Sequence, residues 1–212
     1  MTEHSHDTAH PSAALDSVSS YYDIMETAVR ELLTAKGLFS ADEIRRQIEV
    51  LDSRTPALGA RVVAKAWTDP QFRQRLLADA RRACEDEFGI TFYDDTNLIV
   101  LENTETVHNL IVCTLCSCYP RPVLGLPPDW YKLKPYRARA VSNPRSVLAE
   151  FGTQLPDNVE VRVHDSTAMV RYLVLPLRPE GTDHYSAAQL EALVTRDTMI
   201  GVVPARLEGS TP

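Results

Sequence analysis

Apolar positions recur at helical spacing through the first part of the chain. Met25, Val29, Leu32 and Leu33 fall on one face of a helix over residues 21–36, and Gly37 suits the position just past its end. Ser40 followed by Glu43 is a capping-box pattern that opens a second helix, running to residue 51. Pro56 fits the first turn of a third helix that extends to Trp67. Asp69 and Pro70 then read as the N-cap and first residue of one long fourth helix. Phe72, Leu76, Ala80, Ala83 and Cys84 share its face, and Gly89 ends it. Cys84 on that face reads as a small core residue.

Past Ile90 the period changes. Residues 97–102 and 107–113 are rich in β-branched and aliphatic residues, and a polar turn, 103–106, joins them. Residues 159–164 and 172–175 read as further strands. The stretch 114–145 holds many prolines and aromatics and allows only short helical pieces. Ser186 with Gln189 is another capping box, opening a final helix to residue 194. Residues 1–20 are polar and aperiodic and read as a disordered tail, in which His4, His6 and His10 would at most hold a metal loosely.

Composition narrows the function classes. With 212 residues, 44% hydrophobic and 24% charged, the chain is long enough to bury a core and is neither a rod nor a disordered polymer. Its net charge of −7 opposes a phosphate backbone, so no nucleic-acid partner is expected. It has no run of apolar residues long enough to span a bilayer and no basic start followed by an apolar stretch. No membrane association is expected, and the expected location is cytoplasmic. Four cysteines in such a reducing compartment are not a disulfide framework.

Their spacing carries the chemistry. Cys113, Cys116 and Cys118 stand within the segment C-T-L-C-S-C-Y-P. Structural zinc usually takes two ligand pairs from separate loops, and no second pair exists here. His108 lies on the preceding strand, on a face with Leu110 and Val112, and reads as a packed or capping histidine rather than a ligand. A redox pair of Cys113 and Cys116 lacks the long helix that thioredoxin-like sites place behind it, because Pro120 and Pro122 intervene. Three sulfurs on so short a loop grip one face of a metal and bring the peptide nitrogens between them close to it. A backbone nitrogen binds only after losing its proton, which calls for a strongly Lewis-acidic, trivalent ion. Such a ligand set leaves an octahedral ion one open position, the mark of a catalytic site.

C-T-L-C-S-C-Y-P followed by V-L-G-L-P-P-D-W-Y resembles the α subunit of cobalt-type nitrile hydratases, and also the γ subunit of thiocyanate hydrolases. ARVVAKAWTDPQFRQRLLAD, VLAEFG, RPEGTD and LVTRDTMIG are similar to the same family, and the likeness covers residues 21–205. The resemblance implies that Cys113 is a plain thiolate ligand, Cys116 a sulfinic acid and Cys118 a sulfenic acid. The main-chain nitrogens of Ser117 and Cys118 complete the ligation. It implies one cobalt(III) per subunit in preference to iron, since Thr114 stands where iron-type enzymes usually have serine. Cys116, Ser117 and Cys118 become the catalytic residues. The implied partner is a β subunit or β-like chains, whose arginines bind the oxidised sulfurs, and an activator protein that inserts the metal is expected as well.

The fold expected on these grounds is α+β: an N-terminal helical arm over 21–90, then a layered α/β metal-binding core with mixed strands, the catalytic domain, over 91–212. The leading function is hydration of nitriles to amides, a hydro-lyase reaction, with the Cys118 sulfenate oxygen or an activated water as nucleophile. The alternative is the γ role in thiocyanate hydrolase, releasing carbonyl sulfide and ammonia. Arg121 favours it, standing where nitrile hydratases commonly have tryptophan, and residues 91–96 lack the glutamine that nitrile hydratases often carry there. A third reading, a metal-delivery protein, would leave the sulfurs unoxidised.

A mature claw would also be negative. Against the +3 of cobalt(III), ionised sulfurs and amidates leave about −2, which needs nearby cations. Between Tyr119 and Arg145 lie Arg121, Lys132, Lys134, Arg137, Arg139 and Arg145 against Asp129 alone. These face the claw, an acidic partner or solvent. Trp67 and Trp130 read as packing anchors. Asp129 and Tyr131 stand close after the claw, and His164 with Asp165 reads as a strand end and turn residue rather than an acid–base pair.

Overall fold

The structure, a computed structural model, describes residues 12–92 and 96–207, and the side chains of all of these but 12–20. His4, His6 and His10 lie outside the described residues. The chain divides into two compact units, residues 1–50 and 51–212.

The first unit carries α1 (Ser12–Ala35) and most of α2 (Ala41–Asp52). The helix expected from Tyr21 begins at Ser12, so part of the segment read as a disordered tail is helical. Ala13, Ala14 and Leu15 are strong helix formers. The Ser40 capping box forms: the Glu43 N–H donates to Ser40 Oγ at 3.2 Å, and the Ser40 N–H donates to Glu43 Oε2 at 2.7 Å.

In the second unit α3 (Pro56–Thr68), α4 (Pro70–Ala78) and α5 (Ala80–Phe88) do not form an arm. Val62, Val63, Phe72, Leu76 and Cys84 share one buried cluster with the strands, so the division falls near residue 50 instead of residue 90. The expected long fourth helix is broken at Asp79, whose side chain turns back to accept from the Arg82 N–H and caps a new helix. An aspartate in a good helical pattern competes with the helix for backbone donors, and here it wins. Gly89 ends α5 at φ 63°.

The four strands among the described residues form two parallel pairs. β1 (Asn97–Glu102) pairs with β4 (Val170–Leu175), and β2 (Val107–Val112) pairs with β3 (Glu160–Asp165). Residues 103–106 therefore carry the chain from one sheet to the other and close no hairpin. Parallel pairing demands long crossovers. Between β2 and β3 run α6 (Arg121–Leu124), α7 (Asp129–Lys132), α8 (Lys134–Ser142) and α9 (Pro144–Glu150). After β4 come α10 (Ala187–Ala192), with the Ser186 capping box, and α11 (Arg196–Ile200), which the sequence reading missed. The architecture is α+β.

Leu110, Ile111, Leu173, Leu175 and Met199 are fully buried, and β2 lies in the middle of this core. Gly201 lies directly on β2. Its φ is +90°, and an added Cβ would stand 2.0 Å from the Asn109 carbonyl oxygen. No helix among the described residues is long and apolar enough to cross a membrane.

Candidate metal centre

β2 is buried along nearly its whole length and delivers Cys113, itself fully buried, to the start of an open loop. The loop then turns outward: Cys118 is half-buried and Cys116 exposed. All three sulfurs lie within 4.8 Å of one another. Cys116 Sγ stands 3.4 Å from Cys113 Sγ and 3.2 Å from Cys118 Sγ, with no disulfide between them. The Cys116 N–H donates to Cys113 Sγ at 3.3 Å.

Side chains far away in sequence fix this shape. The β2–β3 register sets Val112 opposite Asp165, so the Asp165 carboxylate meets the loop as it leaves the sheet. It accepts from the Thr114 N–H at 2.9 Å and from the Thr114 hydroxyl. From α8, Arg137 Nη1 donates to the Cys116 carbonyl at 2.9 Å and the Thr114 carbonyl at 3.4 Å. The buried Tyr131 hydroxyl donates to the Cys118 carbonyl at 3.0 Å. Tyr136, next to Arg137, donates to the Ile111 carbonyl at 2.6 Å and so ties α8 to β2. Asp165 escaped the sequence reading as a site residue, while Arg137 was one of six basic candidates and Tyr131 was noted only for standing close after the claw. Only the strand register and the crossover reveal their contacts.

The sulfurs differ electrostatically. Cys116 is lowered to about 7, first by the hydrogen bond from Cys118, then by that from Cys113, with help from the Ser117 and Cys118 backbone N–H groups. Cys118 is pushed up to about 12 by burial and then by the bond to Cys116, although the positive charge of Arg171 opposes this. One sulfur ionises readily, and a second anion beside it is disfavoured. A cation is what lets all three act as thiolates together. The donor set suits a thiolate-preferring transition metal, and the backbone N–H groups of Ser117 and Cys118 help to lower Cys116. The residues present therefore fit a metal held by Cys113, Cys116, Cys118 and the intervening main chain.

A cavity of about 350 Å³ opens on the loop, lined by Cys116, Ser117, Cys118, Tyr119 and the side chains of Arg54, Arg121 and Arg171. No carboxylate lines it among the described residues. The basic stretch after the claw resolves residue by residue. Arg137 faces the claw backbone, and Arg121 faces this cavity. Lys132 pairs with Asp129, and Arg139 pairs with Glu150. Arg145 donates to the carbonyls of Leu155, Pro156 and Val159.

His108 is buried away from the claw. Its Nε2 donates to the Gly201 carbonyl at 2.7 Å, and its Nδ1 lies 3.4 Å from Asn103 Nδ2, as expected of a packed histidine. His164 Nε2 lies 2.9 Å from Asn109 Oδ1, so it forms no acid–base pair with Asp165. Asp129 is exposed, whereas Tyr131 is buried beneath the claw. Trp67 Nε1 donates to the Pro176 carbonyl at 2.8 Å, and Trp130 stacks edge-on against Tyr136 and Phe151. Cys84 is a core thiol, pushed up to about 12 by burial.

An α+β scaffold presenting a three-sulfur loop at the end of a buried parallel strand defines a cysteine-claw metalloprotein. Residues 20–203 match the family model described as nitrile hydratase, alpha chain. The chain is 55% identical over 176 residues to the low-molecular weight cobalt-containing nitrile hydratase subunit alpha of Rhodococcus rhodochrous, covering 82% of this chain and 84% of that one. It is 46% identical over 203 residues to the thiocyanate hydrolase subunit gamma of Thiobacillus thioparus, covering 91% and 83%. Among solved structures, a double mutant of the Fe-type nitrile hydratase from Comamonas testosteroni Ni1 superposes with a TM-score of 0.82 at 41% identity, covering 91% of this chain and 95% of that one. The chain belongs to the nitrile hydratase alpha-chain family.

Proposed function

We propose that this chain is the metal-carrying subunit of a hydratase that adds water across the carbon–nitrogen triple bond of nitriles and releases amides. The observation that carries the reading is the loop itself: three sulfurs within 4.8 Å of one another, with Cys116 and Cys118 lining a cavity of about 350 Å³, large enough for a small organic molecule. The 55% identity to a cobalt-containing nitrile hydratase subunit supports both the reaction and the choice of cobalt(III) over iron. Cys113, Cys116, Cys118 and the Ser117 nitrogen would hold the ion, which would supply Lewis acidity toward the substrate nitrogen.

The chain's own groups do the rest. Cys113, sealed in the core, remains a plain thiolate. Cys116 and Cys118, nearer solvent, are open to oxidation to sulfinic and sulfenic acid. The Cys118 oxygen then acts on the nitrile carbon as nucleophile, or takes the proton of the attacking water. Arg171, whose charge already reaches Cys118, offsets negative charge there. The claw lies within residues 91–212, and the compact unit of residues 51–212 also brings Arg54 to the cavity. A β subunit or β-like chains cover the loop, whose Leu115 side chain is 89% exposed, and an activator installs the metal.

The reading is tested by incubating the cobalt-loaded complex separately with a small nitrile and with thiocyanate and measuring amide against carbonyl sulfide. Amide release at least ~10-fold faster supports nitrile hydration. Carbonyl sulfide as the dominant product transfers the assignment to thiocyanate hydrolysis. One observation favours that second reading: Arg54, Arg121 and Arg171 give the cavity a cationic lining suited to a small anion.

A further inference from the structure

Arg137 holds the claw from the side away from the catalytic cavity. It does not line that cavity. Instead it lines a separate hollow of about 420 Å³ with Thr114, Leu115, Lys134, Ala138 and Val141. Its guanidinium reaches the loop through two carbonyls, those of Thr114 and Cys116. The buried Tyr136–Ile111 bond fixes the helix it stands on, so the donor approaches from a rigid base. Its Nε is buried with no hydrogen-bond partner of its own, which leaves the outer fork of the guanidinium to make the contacts.

The identity of the accepted oxygen matters. The Cys116 carbonyl belongs to the same peptide unit as the Ser117 nitrogen. A peptide that binds a metal through its nitrogen spreads its negative charge onto its own oxygen. A guanidinium 2.9 Å from that oxygen forms a charge-assisted bond to the oxygen that gains the charge. The Thr114 contact pins the start of the same turn, so one guanidinium holds two carbonyls of the loop between Cys113 and Ser117.

We propose that Arg137 is a positioning residue of the metal centre: its guanidinium fixes the Cys116–Ser117 peptide and stabilises that peptide as a nitrogen ligand. This rests on the reading of the claw as a metal centre with the Ser117 nitrogen among its ligands. Arg137 touches neither substrate nor the open face, so its influence is read in the metal's binding and spectrum before it is read in turnover.

The test compares wild type with Arg137→Gln and Arg137→Lys in the full complex, measuring cobalt per chain, the rate of cobalt loss to a chelator and the visible charge-transfer band. Arg137→Gln is expected to lose cobalt about 10-fold faster or more and to shift the band, with Arg137→Lys between it and wild type because it keeps the charge but not the fork. A loss rate within about two-fold of wild type and an unmoved band in Arg137→Gln overturn the proposal. Should Arg137→Gln fail to assemble, Arg137→Lys decides alone: faster loss with a shifted band supports the role, and wild-type values overturn it. A wild-type complex that takes up no metal refutes the metal-centre reading itself, and is thereby distinguished from a failure confined to Arg137.

Discussion

The chemistry of this chain is concentrated in six residues, and their burial sorts the roles. Cys113 is sealed in the core, while Cys116 is open to solvent and lines the cavity. Spacing singled out Cys113, Cys116 and Cys118, because such short intervals leave the sulfurs few places to go, and the family resemblance added the Ser117 nitrogen. Asp165 was out of reach of that reasoning. It lies 51 residues from Thr114, and only the parallel register brings it to the loop. Asp165→Ala removes the acceptor for both the Thr114 N–H and hydroxyl. It is expected to weaken cobalt retention by roughly 10- to 100-fold, the usual cost of losing a group that orients ligands, as measured by competition with a chelator. Cys113→Ala is expected to abolish metal uptake by the purified complex in elemental analysis, since two sulfurs cannot complete the grip. Full cobalt content in that variant would contradict the ligand assignment.

At the scale of elements, the helices before residue 90, the Ser186 helix and all four strands were readable from hydrophobic period and caps, whereas α6 to α8 were legible only as short helical pieces and α9 and α11 were missed. What they pair with was not. β1 and β2 are neighbours in sequence yet sit in different sheets, because each takes a parallel partner from beyond the long helical crossover. The break between α4 and α5 was hidden for a similar reason: the apolar face runs on through it, and only Asp79 turning to cap Arg82 shows the new start. Asp79→Ala should remove that cap and destabilise the protein by about 1 kcal/mol, measured by denaturant unfolding. A larger effect is expected where α11 meets β2. Gly201→Ala would place a Cβ 2.0 Å from the Asn109 carbonyl at φ +90°. It should cost at least ~2 kcal/mol and lower Tm by roughly 5 °C or more in thermal denaturation.

For the whole molecule, the sequence reading located the metal-binding part but drew its boundary too late in the chain. α3 to α5 look like part of an arm in sequence because a run of helices precedes the first strand, yet their apolar faces join the core around β2. His108 is buried in the interior, and His164 is half-buried. Burial lowers His108 below its usual value despite the bond to the Gly201 carbonyl, and burial followed by the Arg162 charge lowers His164. The unfolded chain therefore binds more protons than the folded one once pH falls below about 6.5. Stability is present in full above that pH and is lost as pH falls through the folded values. Unfolding midpoints measured between pH 8 and pH 5 should decline, and His108→Gln should flatten part of the decline. A midpoint that rises on acidification would contradict the buried neutral His108.

The central claim is that the loop from Cys113 to Cys118 encloses a trivalent cobalt and matures by oxidation of Cys116 and Cys118. Mass spectrometry of this chain released from its native complex tests it most directly. The expected mass contains one cobalt and the three oxygens of a sulfinic and a sulfenic acid. A chain of unmodified mass carrying no ion, or one carrying zinc on unoxidised sulfurs, would contradict it.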